Sequence, residues 1–135
     1  MYELLMLIAN PEIDGLAKYA DAVKAEYASH KKGPSPILSL IENGEVLEIR
    51  IESFSFYVMH SCKLSVKEES EEIAHRFAAK HPAKEAIASA RCRFEINSSQ
   101  SDPNMDYFND MLFLSHAGTA LKGVYVFDPR IGEFY

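Results

Sequence analysis

The sequence predicts a single α+β domain: a two-layer sandwich with a mostly antiparallel sheet and helices on one face. Three observations carry this. The chain has 135 residues, of which 47% are apolar, enough for one core and near the usual size of one domain. Strand-like and helix-like stretches follow one another in the order strand, helix, three strands, helix, strand, helix, strand. Asn43-Gly44 sits between two apolar runs, which is a strong hairpin signal.

The elements follow from local pattern. Tyr2 to Ala9 is a short, nearly continuous apolar run, which suits a strand buried on both faces at the centre of a sheet. Asn10-Pro11 then reads as a helix start, with a capping side chain followed by a proline at the first helical position. Ile13, Leu16, Ala17, Ala20, Val23 and Tyr27 recur at helical spacing. That helix is expected to end near His30–Lys32, before Gly33 and Pro34.

The run from Ile37 to Ile51 reads as the hairpin. If Glu42 pairs with Glu45, then Leu40 faces Leu47 and Leu38 faces Ile49, and all four apolar residues share one half-buried face. Phe54, Phe56, Val58, His60, Cys62 and Leu64 form the inner side of a long alternating strand. Ser65 and Glu68 read as a capping box for the next helix, which Pro82 stops. Ala88 to Asn97 is the next strand, with Ala90, Cys92, Phe94 and Ile96 inward. Asp102-Pro103 repeats the cap-plus-proline start, and the helix runs to about Leu121 on Met105, Phe108, Met111, Leu112 and Ala117. Val124–Phe127 is the last full strand, and Glu133-Phe134-Tyr135 is a frayed tail or a short edge. The order suggests a ferredoxin-like arrangement with an added β-hairpin.

Charge narrows the partners. The formal net charge is −6, which disfavours nucleic acid, where lysines and arginines replace counterions at phosphates, and disfavours anionic membranes. It suits a basic protein partner. No run is long and apolar enough to span a bilayer, and the N-terminal residues make a poor secretory signal, so a cytoplasmic protein is expected. Cys62 and Cys92 then read as reduced core thiols rather than a disulfide.

The acidity concentrates at Asp102, Asn104, Asp106, Tyr107 and Asp110. Asp102, Asn104 and Asp106 open like a calcium loop, but Tyr107 stands where that loop needs glycine and Phe113 where it needs a bidentate glutamate. Acids at a helix start are stabilised by the helix dipole by about 0.3–1 kcal/mol each, which accounts for Asp102 and Asp106. It accounts less well for Asp110. On a helix Asp106 and Asp110 would repel by about 0.2–0.5 kcal/mol, and no Lys or Arg lies between Arg93 and Lys122. These five residues are therefore the expected partner-binding face.

Other chemistry-bearing residues have plainer readings. His60 is on an apolar strand face, as a satisfied core histidine would be. Cys62, two residues on, is some 7 Å away at the backbone for a strand, and the side chains run parallel, so the two make no nucleophile pair. No histidine forms a zinc spacing with another His or Cys, so no metal or other cofactor is expected. Arg91 and Arg93 share a strand face with Glu95 and read as an exposed ion-paired surface. With no catalytic motif, the sequence reads as a non-enzyme. The alternative is a small-molecule-binding or enzymatic domain with a pocket near His60, Arg91 and Arg93. A third reading is a subunit, such as a homodimer, joined through an open sheet edge.

The runs RCRFEI, SDPNMDYFNDMLF, GVYVFDP and GEFY between Arg91 and the C-terminus resemble small bacterial polymorphic-toxin immunity proteins. The resemblance covers about the last third of the chain. It implies a compact cytosolic α+β domain that binds and blocks one cognate toxin; the net charge of −6 suggests that such a toxin has a basic face. It carries over no individual site residue.

Overall fold

In the computed structural model, which describes residues 1–30 and 33–135, seven strands form one wholly antiparallel sheet. The strands are β1 (Glu3–Ile8), β2 (Ile37–Ile41), β3 (Val46–Ile51), β4 (Phe54–Ser61), β5 (Cys92–Ser98), β6 (Val124–Asp128) and β7 (Glu133–Phe134). Their order across the sheet is β2-β3-β4-β5-β1-β6-β7. The helices are α1 (Leu16–Ser29), α2 (Leu64–Phe77), α3 (Lys84–Ala88) and α4 (Phe108–Thr119). The stretch β4-β5-β1-β6, with α1 and α4 on one face, is the expected ferredoxin-like arrangement, and the β2–β3 hairpin extends it at one edge.

The apolar run of β1 lies between β5 and β6, with neighbours on both sides and cores on both faces. Leu4, Met6 and Ile8 point into the larger core, with Leu16, Tyr19 and Val23 of α1 and Met111, Leu114 and Ala117 of α4. Leu7 points the other way, into a second core with Phe127, Ile73, Ala74 and Ile87. That second core corrects the expectation that all helices share one face. Between β4 and β5 the chain leaves the sheet, and α2 and α3 cover its opposite side. The run Leu4–Ile8 of β1 is the cause: five consecutive apolar residues on a strand need cover on both faces.

The hairpin register is as read from the sequence, with Leu38 opposite Ile49 and Leu40 opposite Leu47. The turn takes in Glu42 as well, and Glu42, Asn43 and Gly44 all have positive φ. Leu47 and Ile49 are buried, but Leu40 stays exposed, because β2 is the edge strand and lies outside the main core.

The starts of α1, α2 and β5 shift. Asn10 caps a turn instead of a helix: its Oδ1 accepts the Glu12 N–H at 3.0 Å and its Nδ2 donates to the Lys122 carbonyl at 3.0 Å. Helix α1 begins five residues after Pro11, at Leu16, and ends at Ser29; the expected last turn at Lys31 and Lys32 lies outside the described residues. Gly123 packs against Asn10, where an added Cβ would come within 2.6 Å of the Asn10 Cβ, so that crossing needs glycine. Helix α2 begins at Leu64, which puts Ser65 inside it, and no side chain caps it. Leu64 is a surface residue, not part of the β4 inner face. The strand expected from Ala88 begins at Cys92, because α3 occupies Lys84–Ala88.

Candidate acidic face and the cluster at His60

The segment before α4 is held by Asp102. Its Oδ2 accepts the Tyr2 hydroxyl at 2.6 Å and the Tyr107 N–H at 2.8 Å, and its Oδ1 accepts the Asp106 N–H at 3.0 Å. Asp102 thus caps a turn, and α4 starts only at Phe108. Burial works to raise the Asp102 pKa, but these donors outweigh it and hold the carboxyl below its usual range. Tyr2, in turn, lies under the Arg130 guanidinium, 5.7 Å from the ring centre. Arg130 is fixed by two bonds to the buried carboxylate of Asp128, at 3.2 and 3.1 Å. A chain of contacts therefore runs from the sheet end at Asp128 to the turn at Asp102.

The loop before it is fastened too. Gln100 accepts the Ser55 N–H at 3.1 Å and donates to the Ser53 carbonyl at 3.3 Å. This ties residues 98–102 to the β3–β4 turn that carries Glu52. Tyr107 stacks on Phe54 with ring centres 4.5 Å apart. Met105, expected in the core, is exposed at 58% and holds a positive φ at the outside of the turn.

The later helix start changes the standing of Asp110, which now falls in the first turn of α4. It is half-buried, and Tyr27 of α1 donates its hydroxyl to Asp110 Oδ1 at 2.7 Å. Burial raises the Asp110 pKa; the Tyr27 bond opposes this, while the charges of Glu52 and Asp102 add to it. Asn104 and Asp106 are exposed. The structure thus brings Asp102, Asn104, Asp106, Tyr107 and Asp110 together and adds Glu52. Asp102 and Tyr107 serve mainly the fold, while Asn104, Asp106, Asp110 and Glu52 provide the polar and acidic surface. Nothing in the sequence pairs Glu52 with Asp110, because 58 positions of chain and a turn lie between them.

The residues of the alternative pocket do not assemble as a set. Arg93 is nearly buried and ion-paired with Glu69 of α2 and with Glu95, so it is not an exposed surface residue. It lines a hollow beside α2 on the second-core side, with Leu5, Ile73 and Phe127. His60 and Arg91 lie elsewhere, on a cleft of about 490 Å³ with Asn10, Ile13 and Asp14. His60 also lines a second cleft, of about 510 Å³, with Gly44 and Lys63. It is therefore not a core histidine. Burial lowers its pKa, partly offset by the charge of Asp14.

Cys62 and Cys92 are joined in a disulfide, against the expectation of two reduced thiols. They face each other one pair beyond the last β4–β5 partners, Ser61 and Arg93, with Cα atoms 4.2 Å apart. The Cys62 Sγ lies 3.6 Å from His60 Nε2. The parallel-side-chain argument fails there because β4 ends at Ser61, and Cys62 lies where the chain turns into α2.

No family model, curated protein or solved structure matches the chain. No helix among the described residues is long and apolar enough to cross a membrane.

Proposed function

We propose that this chain is a protein-binding domain that docks a basic partner on the face formed by Glu52, Asn104, Asp106 and Asp110, and that it acts as an inhibitor of a cognate toxin. The observation that carries the reading is the way Asp110 is held. A carboxylate kept half-buried near two other acids costs stability, and the fold offsets this with the Tyr27 hydroxyl, a backbone N–H and the start of α4, but with no ion pair among the described residues. Groups held in an unfavourable electrostatic setting are concentrated at functional sites. A basic partner would supply a counter-charge that the described residues do not, and opposite charge also speeds encounter. The surrounding turn is fixed by Asp102 and Gln100, so little ordering would remain to be done on binding. The toxin-inhibitor assignment rests on the resemblance of the C-terminal third to immunity proteins, and a cytoplasmic location goes with it.

The test is capture from a lysate of the source organism with the immobilised chain, compared with an Asp106→Asn, Asp110→Asn double variant. Both substitutions leave the Asp102 cap intact. A basic protein retained by the wild type and lost by the variant supports the proposal. Equal retention by both would remove this face from the interface.

A further inference from the structure

We propose that the reduced chain binds one zinc ion through His60, Cys62 and Cys92. The imidazole nitrogen and the two sulfurs lie within 4.8 Å of one another. Tetrahedral zinc takes sulfur at about 2.3 Å and nitrogen at about 2.0–2.1 Å, which sets its ligand atoms roughly 3.4–3.8 Å apart. The separation of 3.6 Å between Cys62 Sγ and His60 Nε2 is already of that size. Two thiolates and an imidazole form a donor set that favours zinc over magnesium or calcium, which prefer oxygen.

The frame is pre-set. His60 is on β4, Cys92 begins β5, and Cys62 follows β4 directly, so the backbone pairing of two strands positions all three donors. A disulfide by itself has no need of a histidine beside it. The cleft of about 490 Å³ borders all three residues and leaves room at a fourth position. Asp14 lines the same cleft, but its carboxylate is not one of the group within 4.8 Å, so water or a small ligand would fill the fourth position.

Metal and disulfide exclude each other. A dithiol reductant breaks the Cys62–Cys92 bond: the reductant becomes a disulfide, and its two hydrogens pass to the cysteines as two thiols. Zinc then displaces one proton from each thiol as the two thiolates bind. The cytosol keeps such thiols reduced, so the metal-bound form is the one expected there.

The test reduces the protein with a dithiol, removes the reductant without oxygen, and titrates Zn²⁺ against a chromophoric chelator, with Co²⁺ as a spectroscopic probe. We expect one zinc per reduced chain and none per oxidised chain. Cobalt should give the strong ligand-field bands and thiolate charge-transfer absorption of a tetrahedral site. His60→Ala should weaken zinc binding at least tenfold while circular dichroism stays that of the wild type, and Cys62→Ser with Cys92→Ser should abolish it. If the double serine variant fails to fold, the comparison of oxidised, reduced and His60→Ala protein decides. Equal zinc binding by reduced and oxidised chains, or unchanged affinity in His60→Ala, would overturn the proposal.

Discussion

Tyr27 on α1 donates its hydroxyl to the Asp110 carboxylate on α4 across 2.7 Å, joining the two helices that cover the main core. The bond places a charge where the fold gains little from it. The Asp110 pKa is raised by burial and by Glu52 and Asp102, so its ionised form is disfavoured in the folded state. Folding is favoured by this group below the unfolded carboxyl pKa, and that contribution is lost as pH rises through the raised folded value. Asp110→Asn keeps an acceptor for Tyr27 and removes the charge. It should raise stability at neutral pH by a few tenths of a kcal/mol, about the size of an interaction between partly exposed charges. The gain should vanish below roughly pH 4, where the wild-type group is protonated in both states. Urea denaturation at both pH values checks this.

Asp102 has the opposite sign. Its folded pKa is lowered, so its contribution is present above the unfolded carboxyl pKa and is lost as pH falls through the folded value. Asp102→Ala leaves the N–H groups of Asp106 and Tyr107 and the hydroxyl of Tyr2 without their acceptor. Melting temperature should drop at neutral pH, and amide exchange at Asp106 and Tyr107 should speed up. Exchange unchanged at those two amides would mean that the turn is held by something else.

Gly118 lies inside α4, where alanine would add about 1 kcal/mol of helix propensity. A Cβ there would come within 2.7 Å of Met6 Sδ and 2.8 Å of Val126 Cγ2. The methionine can move, but the branched valine on β6 has little freedom, and overpacking costs about 1–3 kcal/mol. Gly118→Ala should therefore be destabilising by about 1 kcal/mol net, read as a lower urea midpoint with an unchanged slope. A raised midpoint would show that helix and sheet can separate slightly at no cost.

Much of the fold was legible because period and turn chemistry act locally. The apolar run of β1, the Leu38–Ile49 and Leu40–Leu47 register and the stripes of α1 and α4 needed no distant information. Helix starts were less legible. Asn10 and Asp102 do cap N–H groups, but of turns, and the prolines that follow them suit a turn as well as a helix. The second helical layer was hidden because α2 has its own apolar stripe, and a stripe does not say which face of a sheet it will meet.

The site was legible as composition and not as geometry. The five residues from Asp102 to Asp110 are adjacent in sequence, so their clustering was visible, while the division of labour among them depends on Tyr2, Tyr27 and Glu52 from three other elements. The grouping of His60, Cys62 and Cys92 was invisible because 30 positions separate the cysteines and only the β4–β5 register closes the gap.

The central claim is that the acidic face guides a basic partner. Its most direct test is the association rate of the captured partner, measured by stopped flow from low to high salt, for wild type and for the Asp106→Asn, Asp110→Asn variant. The wild-type rate should fall steeply with salt, as screening shortens the reach of charge, and the variant should start slower and fall less. Equal rates with equal salt dependence would contradict the account.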